Sequence, residues 1–173
     1  RAWTSSELFV QRPDLTNKDA TLFATGTGGP IIGRGADLII VDDPLDQENT
    51  ATELQRTKVK TWFRQTLMSR LKPGGRVVVI LTRWHEDDLA ADLIASGEYA
   101  VSHFKAIDEE GQALWPEAWP MESLESVRRE IGTAIFNCMY QGDPTSLGGD
   151  ILKREWFREY SEIPAGLRVF QAW

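Results

Sequence analysis

Continuous apolar runs in two places of the chain predict two buried strands. The first covers residues 38–41 and leads directly into Asp42 and Asp43, and the second covers residues 76–82. Unbroken β-branched runs of this kind are typical of parallel strands that are covered on both faces. Pro44 lacks a backbone donor and therefore ends the first strand where the two carboxylates lie.

Helices alternate with these strands. Residues 51–71 carry apolar side chains at helical spacing, and the pattern predicts one long helix that ends at residues 73–75, Pro-Gly-Gly. An alternation of strand and helix is the signature of a parallel α/β sheet. The remaining predicted elements are strands at 21–25 and 99–107 and helices at 87–95 and 121–131.

The two acids at the end of the first run form a candidate site. Ligands of open α/β sheets bind just beyond the carboxyl ends of the strands. Asp42 and Asp43 there are suited to holding Mg²⁺ beside a phosphate chain and aligning a water against it, as in a Walker B motif. The alternative is structural, because Asp also favours turns and helix caps.

A glycine-rich stretch at residues 26–35 imitates a phosphate-binding loop. It contains G-x-x-x-x-G-R-G, in which Arg34 replaces the lysine and Gly35 replaces the hydroxyl residue of the P-loop motif. A P-loop must open a helix, whereas a strand is predicted to begin soon after Gly35. We therefore interpret the stretch as a loop or hairpin, so that the Walker A motif required by a Walker B site would lie upstream of Arg1.

The second strand ends at Thr82 and Arg83, which are expected to approach the two acids. There they could sense a γ-phosphate or orient a water. After Trp84, residues 85–88 are His-Glu-Asp-Asp and superficially resemble a metal cluster. Four adjacent side chains cannot all reach one ion, and His103 lies on another predicted strand. Acids that cap the following helix are the favoured interpretation.

Composition sets outer limits. The chain has 173 residues, 42% of them apolar and 26% charged, as in an ordinary globular protein. The net charge of −7 argues against a large nucleic-acid-binding face. Cys138 is the single cysteine, which favours a reducing cytosol. No apolar run is long enough to span a bilayer. A start at Arg1 and an end inside the apolar run 167–173 suggest a piece of a longer protein.

Two further patterns each allow two interpretations. Arg56, Lys60 and Arg64 recur every four residues and form either a DNA contact or, as we favour, a solvated helix face. Trp115 and Trp119, each followed by proline, form either an aromatic platform for nucleic acid or, as we favour, a loop packed against the sheet.

Taken together, the motifs resemble the large terminase subunits of tailed bacteriophages and prophages. The resemblance covers nearly the whole chain in one consistent order, and its specificity comes from the series rather than from any single piece. The residues that carry it are, in chain order, 33–44, Trp62, Phe63, Arg70, Leu71, Pro73, Gly74, 81–89, 113–117, Phe136, Tyr140, Gln141, Pro144, Gly148, Gly149, Trp156 and Phe157.

The resemblance implies a DNA-packaging motor, in which a P-loop ATPase drives viral DNA into a procapsid and an RNase H-like nuclease cuts concatemers. The implied fold is α/β: a P-loop NTPase-type (ASCE-like) parallel sheet flanked by helices and incomplete at its N-terminus. Residues 1–140 would be the later part of the ATPase domain, 141–166 a linker, and 167–173 the first strand of the nuclease.

The resemblance also implies residue roles. Asp42 would bind Mg²⁺, and Asp43 would polarise the attacking water at a position where the family often has the longer Glu. Thr82 and Arg83 fall at the coupling motif, and Arg34 resembles an arginine that reaches a neighbouring subunit's nucleotide. The implied cofactors are ATP and Mg²⁺, held mainly by a Walker A motif outside this chain.

The implied partners are double-stranded viral DNA, the portal protein of the procapsid, the terminase small subunit and further copies of the chain in a ring on the portal. The implied location is the host cytoplasm, and no membrane is expected as a partner. Neither the Walker A motif nor the acidic set of the nuclease is found in these residues, so the chain alone is expected to be a poor ATPase and no nuclease. Two alternatives stay open: a helicase-like ATPase, and an inactive prophage remnant that serves as a binding or assembly module.

Overall fold

A computed structural model describes residues 2–11, 16 and 18–144 and contains two small sheets with helices. Strands β1 (Ala2–Trp3), β2 (Glu7–Phe9) and β3 (Leu22–Phe23) form an antiparallel sheet in that order. Strands β4 (Ala36–Asp42) and β5 (Leu71–Ile80) form a parallel pair. The α/β class is therefore confirmed. The strand predicted at 21–25 exists as β3, but it belongs to the antiparallel sheet.

The helices lie mostly between and after the parallel strands. Helix α2 (Glu53–Thr61) continues without a break through a π-helical segment, Trp62–Leu67, and a 3₁₀ turn, Met68–Arg70. Helix α5 (Thr133–Phe136) continues in the same way through the π-helical segment Asn137–Gln141. The α-helices are α1 (Gln47–Thr50), α2 (Glu53–Thr61), α3 (Leu89–Ser96), α4 (Met121–Ile131) and α5 (Thr133–Phe136).

The long helix predicted at 51–71 corresponds to the helical segment from Glu53 to Arg70. Its apolar stripe is buried through Phe63 and Leu67, which join the core over the parallel strands. The helical segment ends at Arg70, one residue before the predicted end, but β5 already begins at Leu71, so that Pro-Gly-Gly lies within the strand and not before it. The register between β4 and β5 shifts here, which lets residues 72–75 bulge out of the ladder before regular pairing begins at Arg76.

One face of the parallel pair is covered and the other is open. Ile39 and Val41 are buried in the core, whereas Leu38 and Ile40 are 53% and 62% exposed. On β5, Val78 and Ile80 are likewise exposed. The expectation that these strands are buried on both faces is therefore wrong for the described residues, since the core that includes Phe63, Leu67 and Leu89 packs on one side only.

The prediction of a strand at 99–107 is also wrong. Only Ile107 makes a bridge there, with Ala113. The backbone of this segment bonds to a helical unit instead of a sheet, because the amide of Ala106 donates to the carbonyl of Tyr140 at 2.8 Å. Ile107 then joins a second core, together with Leu124 of α4 and Phe136 of α5, and the helix predicted at 121–131 is confirmed as α4.

The expected linker and nuclease strand fall almost entirely outside the described residues. Of the predicted linker at 141–166, only residues 141–144 are described, and the segment at 167–173 is not among them. The same holds for four residues of the family resemblance, Gly148, Gly149, Trp156 and Phe157. Among the described residues, no helix combines the length and the apolar character needed to cross a membrane.

The basic stripe on α2 forms ion pairs with the region of α3. Lys60 Nζ lies 2.6 Å from Asp87 and 3.0 Å from Asp92, and Arg64 also pairs with Asp92 at 2.7 Å. Arg56 pairs with Asp87 at 3.4 Å. The favoured interpretation as a freely solvated face is wrong for Arg56 and Lys60, whose side chains are largely buried. The network joins the two helices.

The contact between Lys60 and Asp87 makes stability depend on pH at both extremes. The pKa of Asp87 is lowered, mainly by the hydrogen bond from Lys60. The stability that ionised Asp87 contributes to the fold is therefore lost as the pH falls from 3.8, its ordinary pKa, through the lowered value. For Lys60, burial lowers the pKa, but hydrogen bonds to Asp87 and Asp92 outweigh it and the pKa is raised. Its contribution is present below 10.5 and is lost as the pH rises through the raised value.

Replacing Lys60 with glutamine should therefore destabilise the fold by about 1 kcal/mol at neutral pH, and the difference from the wild type should shrink below pH 3.8 as Asp87 becomes protonated. Urea unfolding across a pH series measures both effects. Lys58→Gln, on the exposed face of the same helix, is the matched control. A Lys60→Gln effect that stays constant over the whole acid range would contradict this account.

Candidate functional site

The parallel pairing of β4 and β5 places their carboxyl ends side by side. Asp42 is the register partner of Ile80, and the amide of Asp43 donates to the carbonyl of Ile80 at 2.8 Å. The amide of Thr82 in turn donates to Oδ1 of Asp43 at 3.2 Å. The two acids and Thr82 are therefore brought together, as expected from strand ends that share one edge of a sheet.

Asp43 has an unusual backbone conformation. Its φ of +44° makes it the single non-glycine residue with positive φ in the described part of the chain. A left-handed conformation costs an ordinary L-residue roughly 1–2 kcal/mol, and Asp tolerates it better than most. Such strain concentrates at functional sites, where the surrounding structure holds it in place. At Asp43 the hydrogen bonds to Ile80 of β5 and to Thr82, two residues beyond the strand, provide that restraint.

The structural alternative for these acids can be tested against the cap of the next helix. The cap of α1 is Asp46, whose side chain accepts from the amide of Asn49 at 2.6 Å in a reciprocal capping box. Asp42 and Asp43 precede this cap and are exposed, while Pro44 and Leu45 between them and the cap are buried. The two acids are therefore open to solvent and are not the helix cap.

Asp42 and Asp43 are the residues at this edge that could hold a metal ion together with ligands that the protein does not supply. Among the described residues, no group of three or more His, Cys, Asp and Glu side chains could hold a metal. Mg²⁺ is ordinarily bound through one or two carboxylates together with waters and substrate phosphates. Two exposed carboxylates are enough for that mode of binding, but they do not suffice for a metal site made of protein ligands alone.

Arg83 is held by its own loop. Its Nε lies 3.0 Å from Oδ2 of Asp88, and its guanidinium also donates to the backbone carbonyls of His85 and Glu86 at 3.3 and 3.2 Å. Asp88 is fully buried and also caps α3, because its Oδ1 accepts from the amide of Ala91 at 3.0 Å. The guanidinium therefore fixes the segment that follows β5.

The cluster at residues 85–88 has the structural role that the sequence favoured. Asp88 caps α3, and Asp87 pairs with Arg56 and Lys60. Nδ1 of His85 accepts from the amide of Asp87 at 2.9 Å. The buried Arg83–Asp88 pair escaped the sequence analysis, although the N-cap position of Asp88 before an apolar helix was a signal that its side chain points inward.

Arg34 lies at the other end of β4. Arg34 precedes the strand, whereas Asp42 is its last residue. At the rise per residue of an extended strand, Arg34 and Asp42 are about 25 Å apart. The guanidinium of Arg34 pairs with Glu7 at 2.7 Å and lies over the ring of Phe23, 4.0 Å from the centroid. The structure therefore does not bring Arg34 together with the acids of its own chain. The stretch around it contains turns and no helix, so the prediction of a glycine-rich loop is confirmed.

A cavity of about 350 Å³ lies beside Arg83. It is also lined by Glu86, His103, Lys105 and residues 142–144. Neither Asp42 nor Asp43 is among its lining residues. The candidate site is therefore an open edge of the sheet and not an enclosed pocket.

No protein-family model matches this chain, and no curated protein is significantly similar to it.

Proposed function

We propose that this chain is part of the ATPase core of a large terminase subunit, in which ATP hydrolysis drives double-stranded DNA into a procapsid. One observation carries the proposal. An exposed carboxylate in a strained conformation, Asp43, follows Asp42 at the carboxyl end of a parallel strand and accepts from the amide of Thr82, two residues beyond the neighbouring strand. Acids in this position support a Walker B site, because nucleotide phosphates and Mg²⁺ bind beyond the carboxyl ends of parallel strands.

Each acid has a distinct role in this proposal. Bound Mg²⁺ would neutralise charge on the β- and γ-phosphates. Asp42, in the last position of β4, would hold the ion through its carboxylate. Asp43 would accept a hydrogen bond from the attacking water and orient it toward the phosphorus. The left-handed backbone of Asp43 turns its carboxylate toward β5, which supports separate roles for two adjacent residues.

Thr82 and Arg83 would report the state of the nucleotide. The amide of Thr82 holds the carboxylate of Asp43, so a shift of that carboxylate toward water changes the end of β5 directly. Arg83 ties the following residues to α3 through Asp88, which gives such a shift a mechanical path to a helix. In this proposal Arg83 acts as a positioning residue. Arg34, far from the acids of its own chain, would serve a neighbouring subunit.

The uncovered face of the parallel pair supports a larger assembly around this core. Leu38, Ile40, Val78 and Ile80 form an apolar surface on two parallel strands, and parallel sheets are normally covered on both faces. In the proposed protein, further strands and helices, including the phosphate-binding loop, would complete the sheet. The portal protein, the small subunit, further copies in a ring and a nuclease domain would be the remaining components.

The two alternatives predict different sequences around this segment. A helicase-like ATPase needs a second motor domain with nucleic-acid motifs, and an inactive remnant has no phosphate-binding loop at all. Reading the coding sequence on both sides of the 173 residues tests all three possibilities. The proposal requires a G-x-x-x-x-G-K-[ST] motif upstream, at the end of a predicted strand, and spaced acidic residues downstream in the same frame. A stop codon or an unrelated sequence on either side would contradict it.

A further inference from the structure

A second surface, far along the chain from the acids of β4, is apolar and exposed. Leu114 is 59% exposed, Trp115 62% and Trp119 43%. The favoured expectation that the two tryptophans pack a loop against the sheet is therefore wrong for Trp115, and Trp119 instead contacts Tyr140 of the helical unit. A group of large exposed apolar side chains often marks an interaction site.

Backbone hydrogen bonds order the loop that carries these side chains. The amide of Trp119 donates to the carbonyl of Trp115 at 2.7 Å, which closes one helical turn and places the two residues on the same side of it. The ring of Trp119 meets that of Tyr140 edge-on, with centroids 6.0 Å apart. The amide of Leu114 donates to the carbonyl of Ala106 at 2.9 Å, so the loop is also tied at its start.

The segment that carries this surface is acidic, although two of its acids pair with basic residues outside it. Between residues 108 and 125 the sequence has six acidic residues and no lysine or arginine. Glu109 and Glu125 lie 3.6 Å from the basic groups of Lys105 and Arg128. The acids of this segment are Asp108, Glu109, Glu110, Glu117, Glu122 and Glu125.

We propose that the acidic-aromatic surface, formed by Leu114, Trp115, Trp119 and the acids of residues 108–125, docks an amphipathic peptide segment of a partner protein that carries lysine or arginine beside apolar residues. Charge complementarity selects this occupant. Nucleic acid, although it stacks well on tryptophan, brings phosphates that the excess of carboxylates in this segment repels. Anionic lipid headgroups are repelled in the same way.

The expected energetics follow from the rigidity of the loop. Tryptophan is enriched among the residues that dominate binding energies at protein interfaces. Because hydrogen bonds already order the backbone that carries Trp115 and Trp119, binding loses little backbone entropy on this side. The acidic rim would steer a basic partner to the surface, and this contribution weakens with salt. The proposal is independent of the ATPase proposal, since none of its residues lies at the end of β4.

Titration of the 173-residue chain with a synthetic 18-residue amphipathic peptide of leucine and lysine tests the proposal by calorimetry. The matched probe replaces every lysine with glutamate. We expect binding of the leucine–lysine peptide, weaker binding at high salt, and no binding of the leucine–glutamate peptide. Trp115→Ala should weaken binding about tenfold or more, and Glu117→Lys should weaken it as well.

Two variants control for unspecific effects. Leu54→Ala removes an equally exposed apolar side chain, 65% exposed, from α2, and Glu98→Lys makes the same charge change outside the surface. Both should bind the peptide as the wild type does. Equal affinity for the two peptides, an equal effect of Leu54→Ala and Trp115→Ala, or competition by single-stranded oligothymidine would overturn the proposal. Self-association of the chain that Trp115→Ala abolishes would also overturn it, in favour of a second copy as the occupant.

Discussion

Replacing Asp43 with asparagine in the polypeptide that contains this segment is expected to lower ATP turnover at least about 100-fold while ATP still binds. Asparagine also tolerates the left-handed backbone, and its carbonyl oxygen can still accept from the amide of Thr82. The local structure should therefore persist, and only the negative charge that polarises the attacking water is lost.

Asp37→Asn is the matched control for this substitution. Asp37 lies near the beginning of β4, at the other end of the same strand, and its side chain is exposed and pairs with Lys72 at 3.0 Å. Its replacement should change turnover by less than about twofold, because an exposed ion pair contributes little. Turnover that survives Asp43→Asn, or a loss of ATP binding in that variant, would remove Asp43 from the proposed role.

The largest loss of stability is expected for Asp88→Ala. The substitution removes the partner of Arg83 and the cap of α3 together, from a position with no solvent exposure. Breaking a buried pair costs about 3–5 kcal/mol and losing a cap about 1 kcal/mol, while Arg83 recovers part of this through water. We expect a loss of about 3 kcal/mol in the free energy of unfolding, measured by urea titration.

Two variants of the same loop separate the contributions of Asp88. Asp88→Asn retains an oxygen that can cap α3 but loses the charge opposite Arg83, so its effect should be intermediate. Glu86→Ala changes an exposed neighbour whose backbone carbonyl still accepts from Arg83, and its effect should stay within about 0.5 kcal/mol. If Asp88→Ala unfolds at the same urea concentration as Glu86→Ala, the pair does not hold the loop.

The parallel strand pair and the site at its end were predictable because their signals are local. The apolar run into Asp42 and Asp43 specifies a strand and its end, and the alternation with a helix specifies parallel pairing. The exposure of Leu38 and Ile40 was not predictable in this way. A run of apolar residues shows that both faces could be buried, but the layer that covers each face comes from other parts of a protein.

Other features depended on contacts between distant residues. Residues 99–107 have the composition of a strand, yet the backbone of Ala106 pairs with Tyr140, which lies 34 residues further on. The spacing of the basic residues on α2 is typical of a solvated helix face. Asp87 and Asp92, about 30 residues later in the chain, nevertheless form ion pairs with these residues. The conformation of Asp43 likewise follows from its hydrogen bonds at and just beyond the end of β5, and no local motif indicates it.

The central claim is that Asp42 and Asp43 serve the hydrolysis of ATP in a DNA-packaging motor. ATP turnover by the complete polypeptide, with Mg²⁺ and with or without linear double-stranded DNA, tests this claim most directly. We predict turnover that requires Mg²⁺ and increases with DNA, without separation of the strands, and little turnover or DNA cleavage by the 173-residue chain alone. Strand separation, an absence of turnover in the complete polypeptide, or full turnover by the 173 residues that Asp43→Asn abolishes would contradict the account.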